Sequence, residues 1–282
     1  MKVILAGNGV NRVGQNYSWE SLLNSLINLT GNNIQINEKP FPLLYEEILM
    51  TLQKSKTKTE DDLLDIIIEN IRKIQINEIH QKITEIFDVI LTTNYDYTFE
   101  KALSVDELYK TSTREVLYSL YRCIEISNIK IWHIHGEANK PKSICLGYER
   151  YGANIQKTRN LIISGDEKKK IDPIKKRLLN NSNLKIAWVD YFFSENIYIV
   201  GLGLDFQEID LWWLLDFRAR EINKGTKKIN NKIVYYCSTN EKISRIQVLK
   251  SMHVDVIQIE ITQENYKSFY FEVINRIERE FT

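Results

Sequence analysis

The sequence predicts an α/β fold: a doubly wound, parallel sheet of about six strands with a helical insert. Three observations predict it. Six short β-branched or apolar runs stand out, each bounded by turn residues. Most of them are continuously apolar instead of alternating, the pattern of parallel strands covered on both faces. Helical periodicity fills the intervals between them.

The six runs are Lys2–Ala6, Asp88–Thr92, Ile129–His133, Asn196–Val200, Lys232–Cys237 and Val254–Glu260. The first predicted helix, Ser18–Leu29, opens on Ser18 as a capping residue and repeats Leu22, Leu23, Leu26 and Ile27 on one face. Leu43–Gln53 and Glu60–Phe87 carry helical periodicity as well and place a helical insert, about 31–87, between the first two strands. Phe206–Asn223, Asn240–Ser251 and Gln263–Phe281 are amphipathic helices that follow later strands. Strands and helices alternating in this way give a Rossmann-like architecture, read as one domain over 1–282. The stretch Asn139–Asn183 differs. It mixes Lys, Arg, Asn and Gly and includes Lys168-Lys169-Lys170 and Lys175-Lys176-Arg177. It reads as a solvated, basic helical insertion or as a contact surface for a phosphate-bearing activator or a partner.

Composition narrows the function classes. Hydrophobic residues make up 43% of 282, enough for a substantial core. Lys and Arg number 38 against 37 Asp and Glu, so no global charge favours nucleic acid. Cys123, Cys145 and Cys237 form no C-x-x-C pair, which excludes a disulfide framework and a four-cysteine zinc site. A reducing, cytoplasmic compartment is expected. Lys2 is followed by only four apolar residues before Gly7, so no secretory leader is expected. No run approaches the ~18 apolar residues of a membrane span.

Chemistry-bearing residues gather at the predicted strand ends, where open α/β sheets bind ligands. The first strand ends in Gly7-Asn8-Gly9-Val10-Asn11-Arg12. Two glycines let backbone amides approach a pyrophosphate, and the Arg12 guanidinium suits phosphate oxygens. A dinucleotide fingerprint would have a third glycine where Arg12 stands, so a plain tight turn is the other reading. The second strand ends in Thr92-Thr93-Asn94-Tyr95-Asp96, either polar ligands or turn and cap residues for the next helix. The third ends in His133-Ile134-His135-Gly136, and period-two alternation expects both histidines on one side. No acidic or cysteine cluster completes a metal site there. Gly201-Leu202-Gly203-Leu204-Asp205 follows the fourth strand and Ser238-Thr239-Asn240 the fifth. All would converge on one crevice.

This ordered set resembles the sirtuin-like superfamily. G-N-G-V-N at 7–11 looks like its first glycine loop, T-T-N-Y-D at 92–96 like its T-Q-N-x-D segment, H-G at 135–136 like its histidine motif, and G-L-G-L-D at 201–205 like its G-x-S-L loop. Within the superfamily it is similar to bacterial sirtuin-like proteins that act as antiphage NAD hydrolases, which often carry a Ser-Trp-x-x-Leu-Leu helix like Ser18–Leu23. Two features depart from deacylating sirtuins. Only Cys145 stands where those carry a zinc module, and Thr93 replaces the usual glutamine.

The resemblance implies a gated NAD glycohydrolase that releases nicotinamide and ADP-ribose in antiphage defence or abortive infection. The nicotinamide leaves a pyridinium as a neutral group, so the site must stabilise an oxocarbenium-like carbon and deliver water, without a strong acid. Asn94 and His135 are the expected catalytic pair: Asn94 holds that water or a ribose hydroxyl, and His135 accepts a proton. By the same resemblance Asp96 takes the nicotinamide carboxamide. Gly7, Gly9, Arg12 and Gly203 line the pyrophosphate and riboses, Ser238 meets the adenosine end, and Asn8, Asn11, Thr93 and Gly201 complete the binding set. No metal is expected. A homo-oligomer is expected, with an activating partner such as a companion ATPase or a nucleotide-sensing subunit. An NAD-dependent deacylase without zinc and a non-catalytic NAD or ADP-ribose sensor are the alternatives.

Overall fold

In the computed structural model all residues are described except 15–18, 32–33, 37–38, 104–116, 118–119, 227, 262–264 and 282, and the side chains of 19–21. Ser18, the expected cap, therefore lies outside the described residues. Seven strands among the described residues form one sheet: β1 (Val3–Ala6), β2 (Val89–Thr92), β3 (Ile124–Ile126), β4 (Ile129–His133), β5 (Ile197–Val200), β6 (Ile233–Ser238) and β7 (Val254–Ile259). Their order is β3-β4-β2-β1-β5-β6-β7. Every neighbouring pair is parallel except β3 with β4, which is an antiparallel hairpin at the edge. All six expected strands form, and β3 is the one that periodicity does not single out.

From β1 the chain builds outward through β2 and β4, then returns to lay β5, β6 and β7 on the other side of β1. The connections therefore diverge between β1 and β5, the topological switch point at which such sheets open a crevice. Alternation along the strands explains the two cores. Val3, Leu5, Leu91, Trp132 and Ile199 point to one face, and Ile4, Ala6, Ile90, Ile131 and Val200 to the other.

The helices are α1 (Trp19–Thr30), α2 (Phe41–Ser55), α3 (Glu60–Ile71), α4 (Glu78–Ile86), α5 (Thr98–Leu103), α6 (Tyr148–Ser164), α7 (Ile174–Asn180), α8 (Tyr191–Ser194), α9 (Ile209–Asn223), α10 (Ile243–Ser251) and α11 (Tyr266–Arg279). Residues of α6 to α10 fill the first face, and residues of α4, α5 and α11 the second. Helices α1 to α3 build a third core around Leu26, Leu44, Ile48 and Ile67, which reaches Tyr95, Ala138 and Leu146 beyond the strand ends. The single helical stretch expected over Glu60–Phe87 is two helices. Asn77 interrupts it, because its side chain accepts the backbone N–H groups of Ile79 and His80 and starts α4 afresh. As a result α4 packs beside α5 and α11 on the sheet, apart from the α1–α3 layer.

The basic stretch is more deeply embedded than a solvated insertion. Leu161, Ile162, Ile174 and Leu178 are buried in the main core. Arg177 is 1% exposed and meets Asp190 at 2.7 Å, while Lys175 pairs with Glu221 at 3.0 Å and Lys176 with Asp172 at 2.9 Å. Lys169 lies over the Tyr121 ring, 4.2 Å from its centroid. The second of the two basic runs is thus matched by acids within the fold.

Candidate active site

A cavity of about 620 Å³ opens at the carboxyl ends of β1, β2, β5 and β6. That size falls in the range of ~300–1,000 Å³ usual for small-molecule sites. Of the residues expected there, Asn8, Gly9, Arg12, Thr93, Asn94, His135, Gly201, Gly203 and Ser238 line it. Gly7, Asn11 and Asp96 are not on its wall; they support the loops that are.

The floor is the crossing of two glycine loops. Gly7 donates its backbone N–H to the Val200 carbonyl at 3.0 Å and Gly9 donates to the Gly201 carbonyl at 2.7 Å. A Cβ on Gly9 would collide with the Gly201 backbone and the Tyr270 hydroxyl, so this close approach needs glycine. Both amides are thus engaged within the protein, on β5 and the loop after it. Arg12 is exposed, donates to the Tyr266 hydroxyl at 3.1 Å and stacks over that ring at 4.9 Å.

Behind the wall, Asp96 anchors the loops from the inside. Its Oδ2 accepts from Asn11 Nδ2 at 2.9 Å, and its Oδ1 accepts from the Thr98 backbone N–H and hydroxyl. Asn11 Oδ1 in turn accepts from His80 Nε2 at 2.9 Å, while His80 Nδ1 accepts the Asn77 N–H. Both His80 contacts suit the neutral ring, and burial pushes its pKa down to about 4. Asp96, Asn11 and His80 thus clamp the loop after β1 to the loop after β2.

Asn94 is 4% exposed and lines the cavity. Its backbone N–H donates to Thr92 Oγ1 at 3.0 Å and its Nδ2 to the Gly7 carbonyl at 3.4 Å. Its Oδ1 is buried without a hydrogen-bond partner among the described residues. An orphaned buried acceptor on a cavity-lining residue is a candidate for a ligand contact.

The two histidines part company at the end of β4. His133 is the last residue of the strand, and Gly136, at φ +102°, turns the chain just beyond it. His133 therefore meets α5, whereas His135 meets α6 and α9. The expected same-side pairing fails, because strand alternation has already ended at His133. His133 Nδ1–H donates to the Asn94 carbonyl at 2.7 Å and its Nε2–H to Glu100 Oε1 at 2.8 Å. Burial alone would lower its pKa, but the Glu100 charge and hydrogen bond overcome this and raise it to about 9. Glu137, held by Arg122 and by the Tyr97 hydroxyl, completes this closed network. His135 lines the cavity instead. Its Nε2–H donates to Asp210 Oδ2 at 2.9 Å, and Asn154 Nδ2 donates to the same oxygen at 2.8 Å. Burial works against the imidazolium, yet the Asp210 charge and hydrogen bond raise the His135 pKa.

Sequence reasoning misses Asp210, Asn154 and Glu208. Asp210 lies in the first turn of α9, where an acid reads as a partner for the helix dipole. Glu208 lines the cavity just before that helix, and its Oε2 is buried without a partner among the described residues. Burial pushes the Glu208 carboxyl up to about 8. On the far wall, Arg245 bridges Asp205 at 2.7 Å and Glu241 at 2.8 Å beside Ser238. Cys123, Cys145 and Cys237 are buried and form no disulfide among the described residues, and no group of three metal-ligating side chains occurs among them.

A model of the SIR2-like domain matches residues 88–257, more than half of the chain. The chain belongs to the SIR2-like domain family. The matched span includes Asn94, His135, the loop at Gly201–Gly203 and Asp210. SIR2-like domains bind NAD, which suits a cavity at the switch point of a Rossmann-like sheet. No curated protein matches the chain. No helix among the described residues is long and apolar enough to cross a membrane.

Proposed function

We propose that this SIR2-like chain is an NAD glycohydrolase that cleaves the nicotinamide–ribose bond, and that it serves as a gated effector of bacterial antiphage defence. One observation carries the reading: Asn94 and His135 line the same cavity, Asn94 Oδ1 has no hydrogen-bond partner among the described residues, and His135 is held through Nε2. Asn94 Oδ1 is an acceptor for a ribose hydroxyl or a water. In this reading His135 Nδ1 takes the proton which that water gives up. Arg12, on the Tyr266 side, supplies positive charge for phosphate oxygens. Thr93, Gly203 and Ser238 line the remaining walls and would meet the riboses and the adenosine end. Bound NAD supplies the pyridinium leaving group; the protein residues hold the water, accept its proton and exclude bulk solvent.

Asp96 has its carboxylate oxygens engaged by Asn11 and Thr98, so its part in this reading is to hold the loops. Free NADase activity would drain the cell's own cofactor, and the proposed gating follows from that. A homo-oligomer and an activating protein partner are part of the proposal. The test is nicotinamide release by the purified full chain, alone and with the products of its neighbouring genes. Release from NAD alone supports the hydrolase. Release that depends on an acyl-lysine peptide would make the chain a deacylase, and NAD binding without release under every condition would make it a sensor.

A further inference from the structure

We propose that Asp210 is a positioning residue that fixes His135 as its Nε2–H tautomer and so makes Nδ1 the nitrogen that accepts a proton in the cavity. The arrangement is set by α9. Asp210 is fully buried in the first turn of that helix, and its Oδ2 receives both the His135 Nε2–H and the Asn154 side-chain amide. Asn154 comes from α6, which packs on α9, so two helices converge on one carboxylate oxygen. A carboxylate can only accept, which places the proton on Nε2. With Nε2 committed, Nδ1 is the ring nitrogen left for the cavity. The Tyr151 ring lies edge-on to the imidazole, 5.4 Å between centroids, and limits its rotation.

The groups facing His135 come from several elements. Asp210 and Asn154 belong to α9 and α6, Glu208 precedes α9, and Tyr95, Tyr151 and Cys145 surround the same pocket. Asp210 and Glu208 both favour the protonated ring. Asp210 itself has a lowered pKa: burial opposes the charge, but His135 and the backbone N–H groups at the start of α9 outweigh it. Removing the Asp210 charge therefore weakens proton binding at His135. Removing Asn154, a competing donor to the same oxygen, strengthens it. A residue that merely fills space would not give opposite signs.

The part that concerns turnover rests on His135 being the base; the tautomer assignment does not. The experiment is nitrogen-15 NMR of the His135 ring in the full chain, assigned by difference with H135Q, across a pH titration. The expected result is an alkaline form with an unprotonated Nδ1 and a protonated Nε2. In D210N the ring should bind its proton roughly tenfold more weakly or worse, a shift of about one pH unit or more. In N154A the shift should be smaller and upward. A proton on Nδ1 in the alkaline wild type, or an unchanged titration in folded D210N, overturns the proposal. The acid limb of the NAD cleavage profile should move with the titration. If the NMR behaves as expected and the limb stays put, His135 is not the base, and the tautomer assignment stands without it.

Discussion

His133 and His135 sit two positions apart, both nearly inaccessible to solvent, and their surroundings differ in one respect. His133 spends both ring nitrogens, on the Asn94 carbonyl and on Glu100, whereas His135 spends one, on Asp210. The first is a structural cation that holds the loop after β2 in place. The second keeps a nitrogen for the cavity. Burial is common to both, so what separates a scaffold imidazole from a reactive one is the count of unmet hydrogen-bonding atoms.

The largest expected effect that sharpens this comparison is on turnover. H135Q, whose side-chain amide can still donate to Asp210, should lower NAD cleavage by roughly 10²–10⁴-fold, the usual contribution of a general base, with little loss of melting temperature. N94A should abolish cleavage while leaving NAD binding measurable by calorimetry. Binding that vanishes together with turnover would make Asn94 a structural residue. H133A should do the reverse of H135Q. It strands Glu100 as an unpaired buried group, which costs about 3–5 kcal/mol of stability. If H133A proved as stable as the wild type, the closed network would not be holding the loop.

Smaller effects concern pH. The folded pKa of His133, about 9, lies above the ordinary value of 6.5, so folding takes up a proton there. Its stabilisation is complete below about 6.5 and lost as pH rises through about 9. Glu208 is raised to about 8, so the folded protein also holds a proton that the unfolded chain releases above its ordinary value of 4.5. Stability from this group falls as pH climbs from about 4.5 to 8. E208Q should flatten that part of the curve in thermal melts taken across pH, and an unchanged curve would show that Glu208 is ionised in the folded state. The smallest effect is expected from chelation, which should leave cleavage as it was. Stoichiometric zinc lost together with activity would contradict this.

Much of this architecture is legible in the residues. The runs around Val3, Val89, Ile129, Ile197, Ile233 and Val254 are continuous enough in apolar and β-branched side chains to betray buried parallel strands. Strand β3 escapes because it is three residues long and lies at an edge, where pairing with β4 and not burial defines it. At the site, Asn94 and His135 are readable because each follows the end of a strand. Asp210 is not, because it lies 75 positions from His135 and only the packing of α6 on α9 brings it there. Arg177 misleads in the opposite way: a basic run in sequence says nothing of Asp190 waiting inside the fold.

Because Gly9 must cross Gly201, the cavity exists only once distant parts of the chain have met. Its walls are drawn from residues near both ends of the chain, from Asn8 to Tyr270, and from most loops between them. Such a surface has high contact order, and its parts meet only when the central strands have been laid side by side. No contiguous fragment contains the site. Ligand protection against proteolysis would therefore report on the whole domain at once, and a nick that frees α11 would erase the binding surface along with the helix.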